Sequence, residues 1–153
     1  MPELPAIALI EYSSIALGTR ALDSLLKKAT VTLLRAGTVQ PGKFAILFAG
    51  QVGAAEESYR DACRIGAESL VDHVLLPEVH DSVYAAVLGK RGNWTNDTLG
   101  IIETPTMAAV LDAADAAVKG ASVEIVELRF ACGSISRIAA MFSSSCLQDF
   151  GPM

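Results

Sequence analysis

The sequence predicts an α/β chain built from two tandem copies of one small α+β unit, the second copy partial. Two observations carry that prediction. The first is an internal repeat. The segment from Ile7 to Arg35, IALIEYSSIALGTRALDSLLKKATVTLLR, matches the segment from Leu99 to Glu127, LGIIETPTMAAVLDAADAAVKGASVEIVE, without a gap. The constant offset is 92 residues and pairs Ile10 with Ile102, Glu11 with Glu103, Ala16 with Ala108, Asp23 with Asp115 and Lys27 with Lys119. A period this long means duplicated domains rather than a solenoid of short units. The second is the apolar pattern of the first copy. Short apolar runs of strand length alternate with segments whose apolar residues recur every four positions.

Taken in order, Ala6 to Glu11 is an apolar run between Pro5 and Ser13, which predicts a buried strand. Ser13 or Ser14 can cap a helix, because a hydroxyl accepts the unpaired N–H groups of a first turn. In that helix Leu17, Ala21, Leu25 and Ala29 make one packed face. Val31 to Ala36 is a second strand, residues Gly37 to Gly42 a loop, and Lys43 to Ala49 a third strand. Val52 to Ile65 is a second amphipathic helix, stopped by Gly66. Val71 to Leu76 is a fourth strand, closed by Pro77, and Asp81 caps a short helix from Ser82 to Leu88. The order β-α-β-β-α-β-α is the ferredoxin-like split βαβ plan with an added helix.

Residues 1–89 thus form the first unit, 90–97 a polar linker and 98–153 the second unit. Trp94, in the linker, is expected to pack on the domain junction. The second unit opens with a strand from Leu99 to Glu103. Thr104 then acts as a cap with Pro105 at the first helical position. Its helix runs to about Gly120, and a strand follows from Val123 to Phe130. The run RIAAMF from Arg137 matches KFAILF from Lys43 at an offset of 94, which predicts a loop two residues longer in the second copy. After Phe142 the match ends, so a second helix and fourth strand are not expected in this copy. A half-unit leaves a sheet edge and an apolar helix face uncovered, which favours association or instability.

Composition narrows the function. The chain is 52% apolar and 19% charged, enough for a packed core and against disorder. Net charge is −5 without a basic stripe, which argues against a nucleic-acid partner. No apolar run approaches the ~18 residues of a membrane helix. The start, MPELPAIALIEY, lacks the basic region and cleavage site of a secretory signal. The three cysteines, Cys63, Cys132 and Cys146, form no CxxC pair, and their odd number fits a reducing compartment.

The segment LGIIETPTMAAVLDAADAAVKGASVEIVE resembles the opening of a bacterial microcompartment shell domain, with its strand ending in Glu-Thr and its AADAxVKxA helix. Leu76-Pro77-Glu78-Val79-His80 is similar to the turn after the fourth strand of these domains. GTVQPGKFAILFAGQVG is similar to the tandem, T-type shell proteins of propanediol-utilisation compartments. The resemblance covers about residues 5 to 142. It implies a structural protein of the bacterial cytoplasm, one that forms homotrimers mimicking hexamers. These tile with other shell proteins around encapsulated enzymes, and a central pore admits small metabolites or, in some members, holds an iron–sulfur cluster.

The resemblance also assigns roles. Thr38, Val39, Gln40, Pro41 and Gly42, with Ala131, Cys132, Gly133 and Ser134, occupy the place of the pore-lining loops. Glycine there lets backbone approach a symmetry axis and turn N–H groups toward ligands. Lys27 and Lys119 match the lysine at the shell edge. On the residues alone, each is one helical turn after an Asp and reads as an ordinary surface ion pair. Gln40 stands where the T-type proteins carry a cluster-binding cysteine, and an amide cannot replace a thiolate. Cys132 is its counterpart 92 residues on. Three copies of that thiol could hold iron–sulfur or another soft metal, or the residue could be an idle cysteine.

Cys63, mid-helix, reads as core packing, and Cys146 has no reading. His73 and His80 are not spaced as a metal pair and are expected to make turn or interface hydrogen bonds. Glu11 and Glu103 end equivalent strands. They suggest caps for the following helix, where negative charge is favoured. No catalytic constellation is visible, so an enzyme is the weakest reading. A tandem ferredoxin-like regulatory module that binds a small molecule is the alternative, on fold analogy alone.

Overall fold

The computed structural model describes residues 5–92, 98–130 and 136–142, the last stretch by backbone alone. The first unit contains β1 (Ala6–Tyr12), α1 (Ile15–Lys28), β2 (Thr32–Val39), β3 (Lys43–Gly50), α2 (Val52–Ile65), β4 (Leu70–Leu76) and α3 (Asp81–Val87). The second contains β5 (Thr98–Thr104), α4 (Met107–Gly120), β6 (Val123–Arg129) and β7 (Ser136–Phe142). The first sheet has the order β2-β3-β1-β4 and every pairing in it is antiparallel, as the split βαβ plan requires. The second sheet, β5-β7-β6, repeats three of those strands. Among the described residues, β5 has no strand on the side where β1 holds β4.

Apolar residues of β1 alternate between two cores, as a period of two demands. Ala8, Ile10 and Tyr12 face α1 and α2, together with Phe44, Ile46 and Phe48 of β3. Ile7 and Leu9 face the other way, into a core shared with Val79 and Val83 near α3 and with Met107 and Leu111 of α4. The second core therefore spans both repeats. All seven residues of β1 are buried, because the strand is central and covered on both faces. Close packing requires glycine at position 66, where a Cβ would collide with the ring of Tyr12, whose hydroxyl donates to Ala62 O at 2.9 Å.

The repeat is kept to the level of register. β1 and β3 pair Glu11 with Ala45 and Ile10 with Ile46; β5 and β7 pair Glu103 with Arg137 and Ile102 with Ile138. Both units also shift register at the same place, between Leu33 and Arg35 in β2 and between Ile125 and Glu127 in β6. All four partners of each set differ by the one offset of 92. This corrects the offset of 94 expected for RIAAMF; residues 131–135 of the loop before it, expected to be two residues longer, lie outside the described residues. A slip of two residues keeps every side chain on its own face, so an apolar pattern cannot detect it.

Of the two candidate caps for α1, Ser14 takes the Leu17 N–H at 3.3 Å. Two other caps move. Thr106, not Thr104, caps α4 through the Ala109 N–H at 3.1 Å, which leaves Pro105 outside the helix. His80, not Asp81, caps α3, its Nδ1 accepting from Ser82 N. The strand β2 runs on to Val39, three residues beyond expectation, so the loop shrinks to Gln40-Pro41-Gly42. Gly42 there has φ +103°, in the region glycine tolerates, and its N–H donates to Val39 O at 3.0 Å.

Candidate functional site

Polar groups concentrate where the first turns of α4 meet the end of β1 and the start of β4. Glu11 is 2% exposed. Its carboxylate accepts the Ala108 N–H at 3.0 Å, with Met107 N–H alongside and Lys43 Nζ at 3.8 Å. Burial raises its pKa above the ordinary 4.5; the Ala108 N–H, Lys43 and the Met107 N–H pull it back. A helix N-terminus presents N–H groups with no partner inside the helix, so a carboxylate is well placed there. Thr106 completes the same corner. Its Oγ1 accepts from Ala109 N while donating to Asp72 of β4.

One face of α4 carries a second clamp. Asp115 is 5% exposed. Its Oδ1 accepts the His80 N–H at 2.9 Å and its Oδ2 pairs with Lys119 at 2.5 Å. Lys119 Nζ also donates to Glu78 O at 2.6 Å. The turn after β4 is thus bound to α4 of the other repeat. Farther along, the Gly92 N–H donates to Val126 O at 2.9 Å and Arg91 pairs with Glu127 at 2.9 Å, laying residues 91 and 92 on β6. The whole junction is apolar at its centre, through Met107, Ala108 and Leu111, and polar at its rim.

The two sequence-equivalent lysines have unlike surroundings. Lys119 bridges the repeats, whereas Lys27 makes a 2.7 Å surface pair with Asp23, with side chains 74% and 64% exposed. At the end of β2 and in the loop after it, Thr38, Gln40, Pro41 and Gly42 are exposed, but Val39 is buried in the core. Ala131, Cys132, Gly133 and Ser134, like Trp94 and Cys146, lie outside the described residues. Gln40 offers an amide and no thiolate. Among the described residues, no group of three His, Cys, Asp or Glu side chains could hold a metal ion. Cys63 packs against the first core, and burial pushes its thiol up to about 11. His73 Nδ1 meets the Tyr59 hydroxyl, with the rings edge to face.

Sequence reasoning assigned Glu11 the wrong helix. It caps α4 of the other repeat, not α1. Asp72, Thr106 and the burial of Asp115 were missed. Thr106 had a signal, since it stands 92 residues after the capping Ser14. Asp115 had none, because one helical turn before a lysine reads the same on any surface helix.

Known proteins agree with this architecture. The BMC domain family matches residues 6–79 and 98–145. The chain is 39% identical over 128 residues to the bacterial microcompartment shell protein PduT of Citrobacter freundii, covering 84% of this chain and 70% of that one. A microcompartment protein structure from Desulfitobacterium hafniense DCB superposes with a TM-score of 0.81 at 35% identity, covering 95% of this chain and 82% of the other. The fused permuted hexameric shell protein MSM0275, from the RMM microcompartment, shares the fold at a TM-score of 0.69 and 18% identity, over 94% and 76% of the two chains. With two matched stretches falling on its two repeats, the chain belongs to the BMC domain family of bacterial microcompartment shell proteins.

Proposed function

We propose that this chain is a structural, non-catalytic subunit of a bacterial microcompartment shell in the cytoplasm. It acts by position, as a homotrimer whose six units mimic a hexamer and tile with other shell proteins. The observation that carries this is the junction itself: two units of one fold, fixed side by side through Glu11, Asp72, Asp115 and Lys119. Shell membership of the relatives supports the same reading.

In such a trimer the end of β2 and the loop after it, with Thr38, Gln40, Pro41 and Gly42 exposed, would line a central opening with Ala131, Cys132, Gly133 and Ser134 and pass small polar metabolites. Lys27 and Lys119 would stand at the tile edge. A thiolate-held iron–sulfur cluster would depend on Cys132, since Gln40 supplies no ligand. Size in solution combined with negative-stain imaging tests the assignment. Trimers and extended sheets are expected. A discrete oligomer that forms no sheets, and whose melting temperature rises with a small ligand, would replace it by the regulatory reading.

A further inference from the structure

The outer strands of the two sheets carry a charge near the middle: Arg35 on β2, Asp72 on β4 and Glu127 on β6. Such charges keep other chains from pairing with the free N–H and C=O groups of an outer strand. β5 is the exception. It is an outer strand in the order β5-β7-β6, and the only charge in its sequence TLGIIET is Glu103, second from the end. It copies β1, a central strand with β3 on one side and β4 on the other. Among the described residues only β7 pairs with β5. Leu99, Ile101 and Ile102 are 40%, 61% and 36% exposed, and Ile101 is the most exposed large apolar side chain described. A long apolar strand with an open side is a template for another strand.

We infer that two copies of this chain pair β5 with β5, antiparallel, across a two-fold axis at Ile101. The occupant is a second copy because the strand complements itself. In that register every residue of β5 has a partner: Thr98 stands opposite Thr104, Leu99 opposite Glu103, Gly100 opposite Ile102, and Ile101 opposite its own mate. Directly opposite residues share a face, with Cβ atoms about 4.5–5.5 Å apart. On one face Leu99 and Ile101 of both copies form an apolar strip. The two Glu103 residues fall at its opposite ends, about 13 Å apart along the strands, so like charges do not meet. On the other face each Ile102 lies beside the Gly100 of the second copy, which has no side chain to crowd it. A register moved by two residues loses pairs at the ends, and one moved by a single residue sets the two faces against each other. The contact is isologous and closes at two chains. It needs no third chain and so stands apart from the trimer reading.

Amide exchange of residues 98–104, read residue by residue on the full chain, tests this with Leu99→Lys, Leu99→Glu and the control Glu57→Lys, an exposed site on α2. In the wild type the outward N–H groups of β5 should exchange slowly in concentrated solution and faster on dilution. Leu99→Lys sets an ammonium opposite Glu103 of the second copy, twice in each pair of chains. Leu99→Glu sets a carboxylate there instead. The protein concentration giving half protection should be at least about tenfold lower for Leu99→Lys than for Leu99→Glu, and unchanged in the control. Both variants lose the same apolar side chain, so a strand that serves only its own chain gives no such split, and equal concentrations overturn the pairing. Fast exchange of the outward N–H groups in the wild type at every concentration overturns it as well. Should either variant misfold, the wild type decides alone: protection that does not change on dilution refutes the contact. Sedimentation velocity on the same samples reads the trimer separately. Trimers without protected β5 amides remove this pairing and leave the trimer; protected amides in chains that never exceed dimers do the reverse.

Discussion

Glu11, near the end of β1, receives the backbone N–H of Ala108, the second residue of α4, across 97 residues of chain. One buried carboxylate thereby fixes how the two repeats meet. Replacing it with alanine leaves buried N–H groups of Met107 and Ala108 and the Lys43 ammonium without their acceptor. Glu11→Ala should cost about 2–3 kcal/mol. Glu11→Gln keeps an acceptor oxygen and should cost less than about 1 kcal/mol. Urea unfolding of both variants measures the difference, and equal losses would contradict the capping role.

The same residue sets a pH dependence. Its pKa is raised in the folded state, so the contribution to stability is fully present below about 4.5 and is lost as pH rises through the folded value. Glu11→Gln does not titrate. Relative to wild type it should therefore gain stability between pH 4 and pH 7. Unfolding curves at the two pH values check the sign. A variant that loses ground at pH 7 would mean the carboxylate is stabilised overall.

Asp115 and Lys119 separate folding from assembly. Asp115→Ala removes the acceptor of the His80 N–H and should lower stability by about 1–3 kcal/mol in thermal or urea unfolding. The exposed Lys27–Asp23 pair is worth only about 0.3–0.5 kcal/mol. The double variant Lys27→Ala with Lys119→Ala should stay folded and form no sheets. Sheets persisting under the electron microscope would remove both lysines from the tile edge.

Around Tyr12 the core admits little change. Tyr12→Phe deletes one buried hydrogen bond, to Ala62 O, at a cost of about 1–1.5 kcal/mol. Gly66→Ala places a methyl group against the Tyr12 ring and should cost more, about 1–3 kcal/mol. Combining the two should leave most of the Gly66 penalty, because the ring remains. Calorimetry on the three variants reads the order.

Cys63 should be slow to alkylate. Its thiol is raised from 9.0 to about 11, so at pH 8 its thiolate population is about a hundredfold below that of an unperturbed cysteine. Peptide mapping after iodoacetamide treatment measures this. Labelling as fast as in the urea-unfolded chain would show that the thiol is not held in the core.

Much of this was legible in the residues because it depends on near neighbours in the chain. The bounds of α2, Val52 to Ile65, follow from an apolar period and the glycine that ends it. The two-residue slip of β7 was invisible, since alternation has the same appearance after a shift of two. The site was harder. Glu11 could be recognised as a helix cap from its place at the end of a strand, but the helix it serves is chosen by tertiary packing, which adjacency in sequence does not reveal. Thr106 was misread in favour of Thr104 because Pro105 is acceptable on either side of a helix start.

Because both sides of the Glu11 seam belong to one polypeptide, its strength does not depend on how much protein is present. Contacts between separate molecules dissolve as concentration falls; this one persists. Subunit exchange can then move repeats only as linked pairs. Mutations that weaken the seam will therefore register as lost cooperativity of unfolding before they register as dissociation.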